Sequence, residues 1–311
     1  MTKSAGGILA SAPGSVMITG EHAVVYGHRA IVCAIEQRVF VTLSPRSDNK
    51  ISITSEIAPR LETDLDHLAA GGQYRFVLAA FATYRGRLSE GCDLGIRSEI
   101  DPRLGLGSSA AVTIACLGAI ATWTGCDQSA LHSDALAIVH DLQGRGSGAD
   151  LAASLKGGFV AYQAAETGRN EARITGLPKP PAPLSLKYSG YKTPTGEVLA
   201  RIAEEMAKDA PFFDALYVRM GQTAEETIEA AQNGRWADFY AGLNTYQDHM
   251  AALGVCDETL GQIVDEARLE AATQAAKISG SGLGDCVLAY GPPPAGFEQM
   301  TPAKNGLSID A

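Results

Sequence analysis

The chain has 311 residues, 46% of them hydrophobic and 19% charged, which excludes a disordered main state and points to one large or two modest domains. Lys and Arg number 25 against 35 Asp and Glu, a net charge of −10, the wrong sign for a protein that coats nucleic acid or an anionic membrane. Cys33, Cys92, Cys116, Cys126, Cys256 and Cys286 form no C-x-x-C pair and have no His at ligand spacing, so structural zinc and a disulfide framework are not expected. The N-terminus shows no basic flank with an apolar core. No run reaches the roughly 20 apolar residues of a membrane span. A soluble cytoplasmic protein is expected.

Gly7 to Ser11 and Val16-Met17-Ile18 read as short strand-type runs separated by Pro13-Gly14, and Ala30 to Thr42 as a longer one. Arg75 to Tyr84 has helical spacing, and Leu94, Ile96 and Ser98 alternate with polar neighbours towards a strand end near Asp101-Pro102. Next comes Gly105-Leu106-Gly107-Ser108-Ser109, then Ala110 to Trp123, apolar nearly all round: strand, glycine loop, buried helix. A helix over Ala130 to Leu142 precedes Gly144-Arg145-Gly146-Ser147-Gly148-Ala149-Asp150, and Phe159 to Tyr162 reads as a strand. Polar residues 166–170 and the proline-rich stretch Pro178 to Pro183 break the composition, which places a domain boundary between 165 and 166. Amphipathic patterns follow at Val198 to Lys208, Met220 to Gln232, Trp236 to Leu253 and Thr259 to Ala272. A further glycine loop, Ser279-Gly280-Ser281-Gly282-Leu283-Gly284-Asp285, leads into a strand at Val287 to Tyr290.

The Gly105-x-Gly107-x-x-Ala110 spacing fits a dinucleotide fingerprint only loosely, because no parallel strand ending in an acid follows its helix. No Gly-x-x-x-x-Gly-Lys-Ser/Thr sequence is present, so a Walker loop is excluded. What remains is physical. Glycines let a backbone approach phosphate closely, and a helix N-terminus offers free N–H groups and positive potential. Ser108 and Ser109 add hydroxyls for a phosphate or a magnesium ion; helix capping is the alternative use.

Three stretches in order, Pro13-Gly14-Ser15 to Gly20-Glu21-His22-Ala23-Val24-Val25-Tyr26-Gly27, Gly105 to Ala111 and Lys277 to Cys286, resemble the three motifs of the GHMP kinase superfamily. The first is most similar to the mevalonate kinase branch. The resemblance implies an α+β fold of two domains: residues 1–165 with a left-handed βαβ unit, and 166–311 ferredoxin-like. It also implies ATP and Mg2+ as cofactors and a small-molecule acceptor, mevalonate or a related hydroxy acid; a homodimer is a candidate assembly that the sequence leaves open. By the same resemblance Gly105, Leu106, Gly107, Ser108, Ser109 and Ala110 wrap the ATP phosphates and Ser109 helps hold magnesium. Glu21, His22, Gly280, Ser281 and Gly282 shape the acceptor side.

Ser147-Gly148-Ala149-Asp150 followed by Gly157-Gly158 matches the stretch that carries the family's catalytic Asp, with Gly146 in place of its Pro. Asp150 is therefore the candidate proton acceptor, its alternative use being a helix cap. Two departures stand out. Ser15 occupies the position where the family has Lys or Arg, so Arg145, Lys156, Lys192 or Lys277 would have to supply the charge, with Arg145 and Lys192 leading. The family's magnesium-binding Glu falls at Val139, with Asp141 the candidate substitute on the same helix. Gly144-Arg145-Gly146 and Gly284-Asp285-Cys286 also resemble phosphomevalonate kinases, which leaves that acceptor, another small hydroxyl acceptor of the same superfamily, or a nucleotide- or metabolite-binding protein without catalysis, as alternatives.

Overall fold

The computed structural model describes residues 7–165 and 171–310. Strands β1 (Ile8–Thr19) and β2 (Ala30–Pro45) pair antiparallel in the middle of an eight-stranded sheet. Pro13-Gly14 does not break the first run. It sits within β1 at a bulge where Pro13 pairs with Arg38 and Gly14 with Ile35, one of the few places a sheet accepts proline. The sheet continues through β3 (Lys50–Ser55), β4 (Leu61–Asp64) and β5 (Cys92–Ser98) in the order β2-β5-β3-β4. β3 and β5 run parallel, and the chain between them carries β4 and helix α1 (Arg75–Thr83).

Helices α2 (Ser108–Thr124), α3 (Leu131–Gln143) and α4 (Ala149–Lys156) follow, and β6 (Phe159–Gln163) returns to pair with β2. α2 packs on β1 and β2 and against α1, α3 and α4. That surround explains its sequence, because a helix enclosed on every side needs no polar face. β7 (Arg173–Leu177) pairs with β6, so the first sheet continues beyond the expected 165/166 boundary; residues 166–170 themselves lie outside the described residues.

A second, antiparallel sheet contains β8 (Leu184–Lys192), β9 (Ala275–Ser279), β10 (Gly284–Tyr290) and β11 (Glu298–Met300) in the order β11-β8-β10-β9. Between β8 and β9 run α5 (Thr195–Met206), α6 (Ala210–Gln232), α7 (Trp236–Ala252) and α8 (Glu258–Leu269). α6 begins ten residues before the Met220 read from the pattern. Asp209 accepts the Phe212 N–H at 3.2 Å and a proline stands in the first turn, both start signals. The strand β12 (Ser308–Asp310) closes the chain against β1.

β10 alternates between two cores. Cys286, Leu288 and Tyr290 join the cluster built on the first sheet, whereas Val287 and Ala289 join the helical cluster of α5 to α8. The strand's period of two thus binds one face of the second sheet to the first domain. The glycine loop between β9 and β10 consequently lies at the seam.

Candidate active site

Gly105 (φ +69) and Gly107 (φ +66) both adopt the left-handed conformation as the chain enters α2. Side chains are excluded there. A Cβ on Gly107 would lie 2.1 Å from Ser15 Oγ, and one on Gly105 would lie 2.8 Å from Asp285 Oδ1. The first intrahelical bond runs from Ala111 N–H to the Gly107 carbonyl at 3.0 Å, so the N–H groups of Ser108, Ser109 and Ala110 precede the ladder. Ser109 is exposed at this end. Ser15 N–H donates to the Leu106 carbonyl at 3.0 Å, so the first motif supports the turn of the second.

Ser15 is 1% exposed, and its hydroxyl donates to Asp150 Oδ1 at 2.8 Å. Asp150 stands in the first turn of α4, whose N-cap is Gly148; Ser147 Oγ accepts the Ala149 N–H there. The Asp150 carboxylate therefore does not cap its helix. Burial raises its pKa above the usual carboxylate value, the Ser15 hydrogen bond and the Lys192 charge pull it back, and the Asp285 charge adds to the rise. Lys192, the last residue of β8, pairs with Asp285 at 3.0 Å. Asp285 has φ +64 in the third glycine loop, and Thr193 Oγ1 fastens that loop by donating to the Leu283 carbonyl at 2.6 Å.

Glu21 and His22 lie in the seam, and both are buried. Lys277 Nζ reaches Glu21 Oε1 at 2.5 Å, with side-chain exposures of 0% and 2%. His22 Nε2 meets the Ser281 carbonyl at 2.9 Å. Because a carbonyl only accepts, Nε2 carries the proton and Nδ1 presents a lone pair. Burial, with the Lys277 charge, lowers the His22 pKa to about 4 against the opposing Ser281 bond. The imidazole is neutral at pH 7.

The structure thus brings Ser15, Gly105, Gly107, Asp150, Lys192 and Asp285 into one network. Other expected residues stand apart from it. Arg145 is exposed and donates to the Gly196 carbonyl at the start of α5, at 3.1 Å, rather than to Asp150. Asp141 is exposed near the end of α3. Val139 packs against the loop before Asp150, where a Cβ on Gly146 would lie 2.6 Å from Val139 Cγ1. Two residues along a helix turn about 200°, so Asp141 does not replace a side chain at 139 in direction. Among the described residues no group of three or more His, Cys, Asp or Glu is placed to hold a metal. Lys277 is consumed by Glu21, and Lys156 lies exposed near Gly176. Gly280 and Gly282 form the third loop beside Asp285 and Val255. Asp285, the Lys277 pairing and the Ser15 contact were not legible as site features. The available signal was a single acid directly after the last glycine of a phosphate-type loop.

The family of GHMP kinases N terminal domains matches residues 74–158, and that of GHMP kinases C terminal matches residues 227–299. A galactokinase galactose-binding signature matches residues 2–45. A mevalonate kinase of Archaeoglobus fulgidus is 31% identical over 309 residues, covering 97% of this chain and 100% of the relative. One from Thermococcus sibiricus is 30% identical over 305 residues, covering 92% and 89%. The crystal structure of the Lin0012 protein from Listeria innocua superposes with a TM-score of 0.86 at 22% identity over 98% of this chain and 99% of that one; at that identity the likeness speaks for the fold.

Proposed function

Because the chain belongs to the GHMP kinase family, we propose that this kinase transfers the γ-phosphoryl group of ATP to the hydroxyl of mevalonate. The observation that carries the reading is the Asp150 carboxylate, held by Ser15 against the second glycine loop and within the field of Lys192. A helix cap would not need that placement. A proton acceptor beside a phosphate cradle does.

The acceptor hydroxyl oxygen attacks the γ-phosphorus, the bond to the β-phosphate oxygen breaks, and the hydroxyl proton passes to Asp150. ADP and the phosphate monoester leave. The positive-φ glycines give the backbone the close approach that phosphate oxygens require, and α2 directs its free N–H groups and dipole at them. A Cβ at Gly105 or Gly107 would fill this cradle, so the residues present fit a polyphosphate. Mg2+, when bound, neutralises phosphate charge; Ser109, exposed at the α2 N-terminus, is the residue that would help hold it. Lys192 supplies the cation that Ser15 lacks, and Asp285 holds it in place.

Mevalonate is favoured as acceptor by the mevalonate kinases of similar length at about 30% identity. Asp285 in the third loop and the galactokinase signature keep phosphomevalonate and sugars in the comparison. Purified protein is assayed for ADP release with mevalonate, 5-phosphomevalonate, homoserine and galactose. Mevalonate is expected to give the highest kcat/KM. A higher value for another acceptor reassigns the substrate, and no turnover with any of them removes the kinase reading of this site.

A further inference from the structure

The backbone of His22 is strained. At φ 61 and ψ −53 it forms the less common hand of the γ-turn, closed by Ala23 N–H to the Glu21 carbonyl at 2.6 Å. A non-glycine residue stays in such a region only where its surroundings over-determine it. Three contacts from the other domain do so here. Lys277 on β9 grips the Glu21 carboxylate, and its ammonium also meets the Ile278 carbonyl. Tyr246 on α7 donates its hydroxyl to the Glu21 carbonyl at 2.7 Å. The Ser281 carbonyl takes the His22 Nε2 proton. Among the described residues, three buried side-chain atoms around this turn have no protein partner: Glu21 Oε2, His22 Nδ1 and Ser281 Oγ.

A fully buried ion pair is a poor device for stability alone, since apolar groups of similar volume often replace one without loss. The unpartnered atoms beside the pair make it stranger still, because each costs free energy until something satisfies it. We propose that Lys277 and Tyr246 are positioning residues. Through Glu21 they hold the His22 turn so that Nδ1, an obligate hydrogen-bond acceptor, is presented to a hydroxyl donor of the acceptor substrate across the domain seam. The assignment rests on the kinase reading above for the identity of that donor, but not for the latch itself.

The double variant Glu21→Gln/Lys277→Met removes both charges together, so no unpaired buried charge remains. Two readouts are taken from it: steady-state kinetics, and 15N spectra of the histidine side chains at neutral pH, with His22 assigned by its absence in His22→Asn. In the native protein the spectrum should show one neutral tautomer, protonated at Nε2. In the folded double variant the acceptor KM should rise about tenfold or more with ATP KM within about twofold, and the His22 signals should move towards a mixture of tautomers. A folded double variant with native acceptor KM and native His22 signals overturns the proposal. Tyr246→Phe, which deletes only the hydroxyl, is measured alongside and decides the matter if the double variant does not fold. It should shift the same two readouts in the same direction, and native values for both would equally overturn the latch. If the wild-type protein phosphorylates none of the acceptors, the kinase reading fails separately, and the 15N spectra alone then decide whether Lys277 and Tyr246 set the imidazole.

Discussion

The residue that concentrates the chemistry is Asp150, and its surroundings make two predictions. Its pKa is raised chiefly by burial, so the ionised carboxylate opposes folding. The sign is that of an acid whose folded pKa exceeds its unfolded one: its stabilising contribution is present at low pH and is lost as pH rises through the folded value. Asp150→Asn should therefore keep or raise the melting temperature while lowering kcat by about two orders of magnitude or more, the scale of a lost general base. A folded variant with near-native turnover would remove Asp150 from the mechanism. Turnover itself needs the ionised form, so activity should fall on acidification through a limb above the ordinary carboxylate range. The Ser15 bond and the Lys192 charge both hold that limb down, so Ser15→Ala and Lys192→Met should each move it to higher pH, and the kcat/KM profile against pH reads the shift. Lys192→Met should also cost about tenfold in kcat, about 1.4 kcal/mol of transition-state stabilisation. Arg145→Ala should cost much less, because Arg145 is engaged with Gly196 rather than Asp150.

Among the elements, the turn into α2 carries the sharpest steric constraint. Gly107 combines φ +66 with a Cβ position 2.1 Å from Ser15 Oγ and 3.1 Å from Ser15 N. A side chain there must distort the loop or displace the Ser15–Asp150 contact. Gly107→Val should accordingly raise the ATP KM at least about tenfold, with a measurable loss of stability. Nucleotide titration alongside thermal melting checks it, and a folded variant with unchanged ATP affinity would mean that this loop does not cradle phosphate. This loop was readable in the sequence because glycines at such spacing have few other uses, and α2 because its residues are apolar on every side. Other elements were hidden by physical context. Pro13-Gly14 looked like a break because the bulge that accommodates it depends on β2, far along the chain. β12 is three residues long and acquires its meaning only from pairing with β1. The side-chain network was less legible than the loops. Lys192, Asp285 and Ser15 are separated by tens to hundreds of residues, and nothing local in Arg145, five residues from Asp150, reveals that its side chain turns towards α5.

Across the whole molecule, the two sheets are joined by more than the active-site loops. Leu288 and Tyr290 of the second sheet belong to the core of the first. Ser279 Oγ donates to the Met17 carbonyl at 2.8 Å and Cys286 Sγ to the Leu104 carbonyl at 3.3 Å. Together with the Lys277–Glu21 pair and the His22–Ser281 bond, these contacts predict one cooperative unfolding transition rather than two. They also place a titrating group inside the seam. The His22 pKa falls from 6.5 to about 4, mainly through burial. For a base with a depressed folded value, the contribution to stability is present above the unfolded pKa and is lost as pH falls towards the folded one. At about 1.36 kcal/mol per pKa unit, the shift corresponds to about 3 kcal/mol, surrendered progressively between pH 6.5 and 4. His132 and His249 also have lowered pKa values from burial, so the wild-type curve alone does not isolate His22. The His22→Asn variant does, because Asn tolerates positive φ and carries no titrating proton. Its melting temperature should fall less steeply over this pH range than that of the wild type, the two curves converging towards pH 4. Parallel curves for the two proteins would show that protonation at the seam is not what acid acts on.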